Sequence, residues 1–134
     1  MKDSIKKIIA ITIGDIDGIG IYLLLKEWRL KKINNFILIS NYKLIKVLKI
    51  ISDKEINLIE DHNKFFDYNK KKFNILNIKT KNKYTNVLDS LKVAYSLTKN
   101  NKFIGILTLP LNKNDINKFV NKNFIDQTTF FSNL

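Results

Sequence analysis

The stretch Lys7-Ile8-Ile9-Ala10-Ile11-Thr12-Ile13-Gly14-Asp15-Ile16-Asp17-Gly18-Ile19-Gly20 decides how this chain is read. A β-like apolar run ends in three of the chain's four glycines, and a helix-like run from Ile21 to Trp28 follows. Glycine tolerates positive φ and lets one backbone approach another backbone or a ligand, so the cluster marks a tight strand-to-helix junction. The only proline ends a second β-like run, Leu107-Thr108-Leu109-Pro110-Leu111-Asn112-Lys113. Both unusual segments therefore lie where a strand hands over to a helix. In open α/β sheets, ligands bind at that end of the strands.

Outward from these junctions, short β-like runs alternate with longer helical patterns. The strands predicted are Ile8 to Ile13, Phe36 to Ser40, Ile56 to Ile59, Phe73 to Ile78 and Phe103 to Leu109. Their nearly continuous apolar content is that of strands buried on both faces. A helix over Gly18 to Trp28 would carry Ile19, Leu23 and Leu24 on its apolar side. A second, Tyr42 to Ile51, would carry Leu44, Ile45, Leu48 and Ile51. The clearest is Thr85 to Lys99, where Val87, Leu88, Leu91, Ala94, Tyr95 and Thr98 follow the 3.6-residue period. Asn112 to Val120 is a fourth, and a last helix starts near Asp126. Strand–helix alternation predicts an α/β fold with a mainly parallel sheet. His62 to Lys72 mixes charged, aromatic and Asn residues without a period and reads as a surface connection.

With 134 residues the chain has the length of one domain with a real core. A hydrophobic content of 45% argues against disorder. The absence of cysteine excludes disulfides and thiolate metal sites and fits a reducing, cytoplasmic setting. The single histidine, His62, lies in the irregular segment and reads as a surface residue. No signal peptide or anchor is expected, because the apolar stretch Ile19 to Leu25 stops at Lys26-Glu27, far below the ~20 residues of a membrane span. The net charge is +12. That balance suits a polyanion partner such as nucleic acid. The lysines are scattered, however, and the tight run Lys70-Lys71-Lys72 falls in the predicted surface connection with no nucleic-acid motif beside it, which favours a solvated basic surface.

The glycine segment reads G-x-x-x-G-x-G. It is neither a P-loop nor a dinucleotide fingerprint. On its own it is equally a tight turn with Asp15 or Asp17 capping the following helix. Together, three ordered blocks carry more. Ile9 to Gly20 resembles the amino-terminal G-D-P-A-G-I-G-P-E signature of the 4-hydroxythreonine-4-phosphate dehydrogenase family. Leu107 to Lys113 resembles its T-x-P-[IV]-[NH]-K strand end. Phe124 to Phe131 occupies the place of its G-H-T-E-[FY]-[LF] segment, and the helix Thr85 to Lys99 sits where the family has one. Departures occur in the first and third blocks: Ile16 and Asp17 replace Pro-Ala, Ile21-Tyr22 replaces Pro-Glu, and Asp126-Gln127-Thr128-Thr129 replaces G-H-T-E.

The resemblance implies a partial three-layer α/β/α architecture of the isocitrate/isopropylmalate dehydrogenase type. It implies that residues 1–134 are a single, incomplete amino-terminal domain with uncovered sheet edges. It implies NAD-dependent oxidation of a phosphorylated hydroxy amino acid, 4-hydroxythreonine 4-phosphate, with decarboxylation, in pyridoxal phosphate biosynthesis. Gln127 and Thr128 match the family's substrate-contacting His and Thr, and Gln127 can donate a hydrogen bond but carry no charge. Gly14, Asp15, Gly18, Gly20, Pro110, Asn112 and Lys113 would line the cleft. Lys113 could meet a phosphate or be one more exposed lysine. No catalytic residue is assigned. NAD and a divalent metal are implied, but the family's three metal-binding histidines lie downstream of the matching blocks, one of them on a partner subunit, so no metal ligand is expected here. A homodimer or a complementing carboxyl-terminal polypeptide is the implied partner. Half of a split enzyme or a non-catalytic remnant is the alternative, and a basic nucleic-acid-binding module is the reading from a third class.

Overall fold

The structure, a computed structural model, describes residues 7–134. The strands are β1 (Ile8–Thr12), β2 (Phe36–Ser40), β3 (Ile56–Ile59), β4 (Phe73–Asn77) and β5 (Phe103–Thr108). They form one sheet in the order β3-β4-β2-β1-β5, and every pairing is parallel. The helices are α1 (Gly20–Arg29), α2 (Tyr42–Leu48), α3 (Lys83–Leu97), α4 (Lys113–Phe119) and α5 (Gln127–Ser132). Among the described residues no helix is long and apolar enough to cross a membrane.

Alternation along the central strands sends side chains to two separate cores. Ile11, Phe36, Leu38 and Ile75 pack with Ile21, Leu24 and Leu25 of α1 and Ile45 of α2. Ala10, Ile37, Ile39 and Leu76 pack with Ala94 and Leu97 of α3. Helices therefore cover both faces, as a parallel sheet requires. The other part of α3, with Val87, Leu88 and Leu91, holds Ile116 of α4 and Phe124, and Phe130 and Phe131 of α5 pack against that cluster.

Three helical expectations need correction. In α1 the buried residues are Ile21, Leu24 and Leu25, whereas Ile19 and Leu23 are exposed at 64% and 48%. Gly20 sets this phase: a Cβ there would stand 3.0 Å from Pro110 Cδ and 3.2 Å from Leu109 Cβ, so the helix starts with its glycine pressed on the end of β5. Ile19 supplies no side-chain cap. The helix instead rests on burial, worth about 1.5–3 kcal/mol for each fully buried Leu or Ile. α2 stops at Leu48 because Lys49 enters the left-handed region at φ 54°. In α3 the expected stripe is buried at Val87, Leu88, Leu91 and Ala94; Tyr95 and Thr98, the residue that ends the helix, are half-buried, while Asn86, Ser90 and Leu97 are buried too.

The glycines correct another expectation. None has positive φ; Lys31, Asn35 and Lys49 do. What the junction needs is close approach. An ideal Cβ on Gly14 would lie 1.9 Å from the Pro110 carbonyl oxygen and 2.5 Å from that of Leu109. The neighbouring Asp15 N–H donates to the same Pro110 oxygen at 2.8 Å.

β5 departs from burial on both faces. It is an edge strand, with Ile104 and Leu107 exposed at 59% and 44%, and its register against β1 shifts between Ile8 and Ile9. His62 to Lys72 is the surface connection expected, and it is held in place by hydrogen bonds. Two short 3-10 turns, separated by a kink at Lys64, occupy His62–Asp67. Beyond them the buried Asn74 Oδ1 accepts from Asn57 Nδ2 at 2.7 Å and from the Asn69 N–H at 2.9 Å. The Asn74 amide donates to the carbonyls of Asn69 (2.8 Å) and Lys72 (3.0 Å).

Gly14→Ala must push two main chains apart. It is expected to lower the unfolding free energy by about 3 kcal/mol or more. Gly105→Ala, where a Cβ meets nothing within 4 Å, is expected to stay within about 0.5 kcal/mol of the parent or gain slightly. Urea titrations of the two variants check this, and equal midpoints would show that the 14–110 contact is not critical.

Candidate functional site

The helices that follow the neighbouring strands β1 and β5 leave on opposite faces. α1 joins the core with Ile11 and Leu38, whereas α4 packs on α3 across the sheet. A crevice opens at such a topological switch point, outside the carboxyl ends of the strands.

Two hollows meet there. One, about 440 Å³, is lined by Asp15, Gly18, Ile19 and the segment 110–114. The other is small, about 10 Å³, and is lined by residues including Asp15, Lys83, Tyr84, Asn112 and Asp115. It has room for about one water. Asp15 and Asn112 line both, so they stand at the junction.

Local chemistry accounts for the position of each group. Asp15 forms a turn, its Oδ1 accepting from the Asp17 N–H at 3.0 Å, and the Gly18 N–H donates to the Asp15 carbonyl at 2.9 Å. Asn112 caps α4, with Oδ1 accepting from the Asp115 N–H at 3.2 Å, which leaves its side-chain NH₂ available to donate. Lys113 is the first residue of α4 and is exposed on the rim.

The third block comes near the crevice without lining it. Gln127 Nε2 donates to the Leu109 carbonyl at 3.5 Å, a long bond that spends the amide on main chain. Thr128 is exposed, lines neither hollow and accepts from Ser132 Oγ at 2.9 Å through its carbonyl. Asp126 is the cap of α5, its Oδ1 accepting from the Thr129 N–H at 2.7 Å. Gly14, Asp15, Gly18, Gly20, Pro110, Asn112 and Lys113 thus gather at one end of the sheet. Gln127 touches that end through the Leu109 carbonyl, and Thr128 is not among the residues lining either hollow.

The motifs gave no sign of the wall formed by the start of α3. Lys83 Nζ pairs with Asp17 Oδ2 at 2.7 Å, and the Tyr84 ring stacks on Phe119 of α4 at 4.3 Å between centroids. The Asp17 carboxylate, by hydrogen bond and then by charge, holds the Lys83 ammonium above its ordinary value. In an all-parallel sheet every strand-to-helix junction lies at the same end. That rule places the start of α3, with Lys83, at the same end of the sheet as the crevice, though not which strand exit it neighbours. The chain matches no family model and no curated protein.

The Asp126 carboxyl sits below its usual range, chiefly because the Thr129 main-chain N–H bonds to the charged form. A depressed folded value means that the cap stabilises α5 above the unfolded value of about 3.9 and is lost as pH falls through the folded one. Amide hydrogen exchange over α5 is expected to quicken as pH falls below that value, after correction for intrinsic rates. Asp126→Asn, a neutral residue of similar capping strength, is expected to remove that dependence while keeping the helix.

Proposed function

We propose that the crevice between β1 and β5 binds a small phosphorylated amino acid of the 4-hydroxythreonine 4-phosphate class. The chain would be the binding portion of an NAD-dependent dehydrogenase, one that does not turn over by itself. The observation that carries this is that Asp15 and Lys113 line one hollow, together with Asn112 and Asn114. A carboxylate and an ammonium on the same hollow complement a zwitterion with a phosphate. Asp15 takes the substrate ammonium, Lys113 takes the phosphate as a point charge, and the Asn112 side-chain NH₂ donates to an oxygen between them. The resemblance of the first two blocks to the dehydrogenase family names the substrate class.

The groups the family reaction needs do not fit the residues present. Among the described residues no three His, Cys, Asp or Glu side chains gather in a geometry that could hold a metal ion. The glycine turn makes no cradle for a pyrophosphate: the space beside Gly14 is filled by the Pro110 carbonyl and that beside Gly18 by Asp15. No redox step is therefore assigned to this chain, and its own residues bind and orient. A non-catalytic remnant is the second reading, favoured by the Gln127 amide being spent on the Leu109 carbonyl.

Calorimetric titration with 4-hydroxythreonine 4-phosphate tests the proposal. Saturable binding is expected, weakened about tenfold by Lys113→Gln and by Asp15→Asn, in line with the loss of one charge-assisted contact. NADH absorbance with NAD, substrate and a divalent metal is expected to stay flat. No binding at millimolar substrate would leave the remnant reading, and turnover would overturn the assignment of binding without catalysis.

A further inference from the structure

The opposite end of the sheet carries a second concavity, of about 610 Å³. It is lined by Trp28, Arg29, Lys31, Ile33, Asn34, Glu55, and by Lys70 and Lys71 at the far bank. It lies at the amino ends of the neighbouring strands β2 and β4, away from the candidate crevice. Its charge balance differs from that of the crevice. The crevice hollows carry Asp15 and Asp115 against Lys83 and Lys113. The second concavity carries four cations against the single carboxylate of Glu55, which pairs with Arg29 at 3.4 Å. Among the described residues no carboxylate pairs with Lys31, Lys70 or Lys71.

Both banks are held in place. The Arg29 guanidinium is anchored to the Ile50 carbonyl at 2.9 Å as well as to Glu55. Lys31 takes φ 59°, with its N–H on the Trp28 carbonyl at 2.9 Å. Opposite, the Lys71 N–H donates to Asn69 Oδ1 at 3.0 Å, and buried Asn74 grips the Asn69 and Lys72 carbonyls. The half-buried Trp28 indole lies edge-to-face with Phe73 at 5.3 Å and lines the hollow.

We propose that this concavity is a binding surface for single-stranded nucleic acid, with Lys31, Lys70 and Lys71 on the phosphates and Trp28 as the platform for a base. Cations tracking a backbone beside an aromatic ring on which a base stacks are the elements of sequence-tolerant single-strand recognition. The half-buried indole lines the same hollow as the lysines, so ring and cations are offered to one ligand. An acidic protein segment would use the lysines and leave the indole idle.

Trp28 is the only tryptophan, so its fluorescence reports the site alone. A short oligothymidylate or oligouridylate is expected to quench it saturably. With three phosphates neutralised, the log–log salt slope is about −2, a loss of roughly fifteenfold between 50 and 200 mM salt. Lys70→Gln with Lys71→Gln is expected to weaken binding at least tenfold at low salt and to cut the slope by more than half. Lys92→Gln with Lys122→Gln, exposed lysines elsewhere carrying the same charge, is expected to change little. Unquenched fluorescence, an equal effect of the two double variants, or polyglutamate quenching as well as the oligonucleotide would each overturn the proposal.

Discussion

The Pro110 carbonyl rests on the bare Cα of Gly14, and most of the architecture around the crevice depends on that contact. Any side chain at position 14 would overlap the oxygen, so only glycine lets the exit of β1 come within hydrogen-bond distance of the exit of β5. Once the two exits are joined there, the chain must leave in opposite directions, because α1 and α4 belong to different faces of the sheet. The crevice is the space those departures leave. Gly20, one turn into the same junction, presses on Leu109 and Pro110 and so fixes which side of α1 meets the core. Two close approaches on the end of β5 therefore act together: the one at Gly14 places Asp15 beside Pro110, and the one at Gly20 fixes the phase of the first helix.

Buried amides do for the loops what this contact does for the strands. Asn86 accepts from the Asn41 N–H at 2.9 Å and donates to Ser40 Oγ at 3.0 Å, tying the end of β2 to α3. Asn74 does the same at the other end of the sheet for the 67–72 connection. Among the described residues no buried side-chain nitrogen or oxygen lacks a partner. A satisfied buried amide adds little net stability, but a displaced one leaves unpaired polar groups in a dry interior. These residues therefore select one loop arrangement over others of similar hydrophobic content.

The strands were legible because parallel strands buried on both faces leave continuous apolar runs, and β2, Phe36–Ser40, is buried at every position. The order of the strands was not legible, since periodicity carries no information about which run pairs with which. The phase of α1 was misread for a physical reason. Ile19 and Leu23 lie on a plausible stripe, and only the tertiary contact at Gly20 turns that stripe outward. Asn86 and Ser90 of α3 lie outside the apolar period yet are buried: the Asn86 amide donates to Ser40 Oγ, and Ser90 Oγ donates to the Val87 carbonyl of its own helix and, more weakly, to that of Ile13. At the candidate crevice, the two junctions announced themselves through glycine and proline. Lys83 and Asp17 did not, because an ion pair across 66 positions leaves no local trace.

Charge shows most clearly why placement matters more than composition. A net charge of +12 describes the whole chain and says nothing about any one surface. The field a ligand meets depends on how many nearby ammonium groups lack a counter-charge and how deeply they are seated. Around the crevice, Lys83 is committed to Asp17, and Asp15 and Asp115 offset the rest. Among the described residues lining the second concavity, Arg29 is the cation that pairs with a carboxylate, and that pairing holds the guanidinium as part of the wall. The connection 67–72 brings Lys70 and Lys71 to this place because Asn74 is buried beneath it, and the left-handed turn after α1 brings Lys31 to face them. Lysines far apart in the chain thus converge through backbone constraints that their own side chains do not create. The same fold lines the crevice with acidic and basic groups in balance and lines the second concavity mainly with cations.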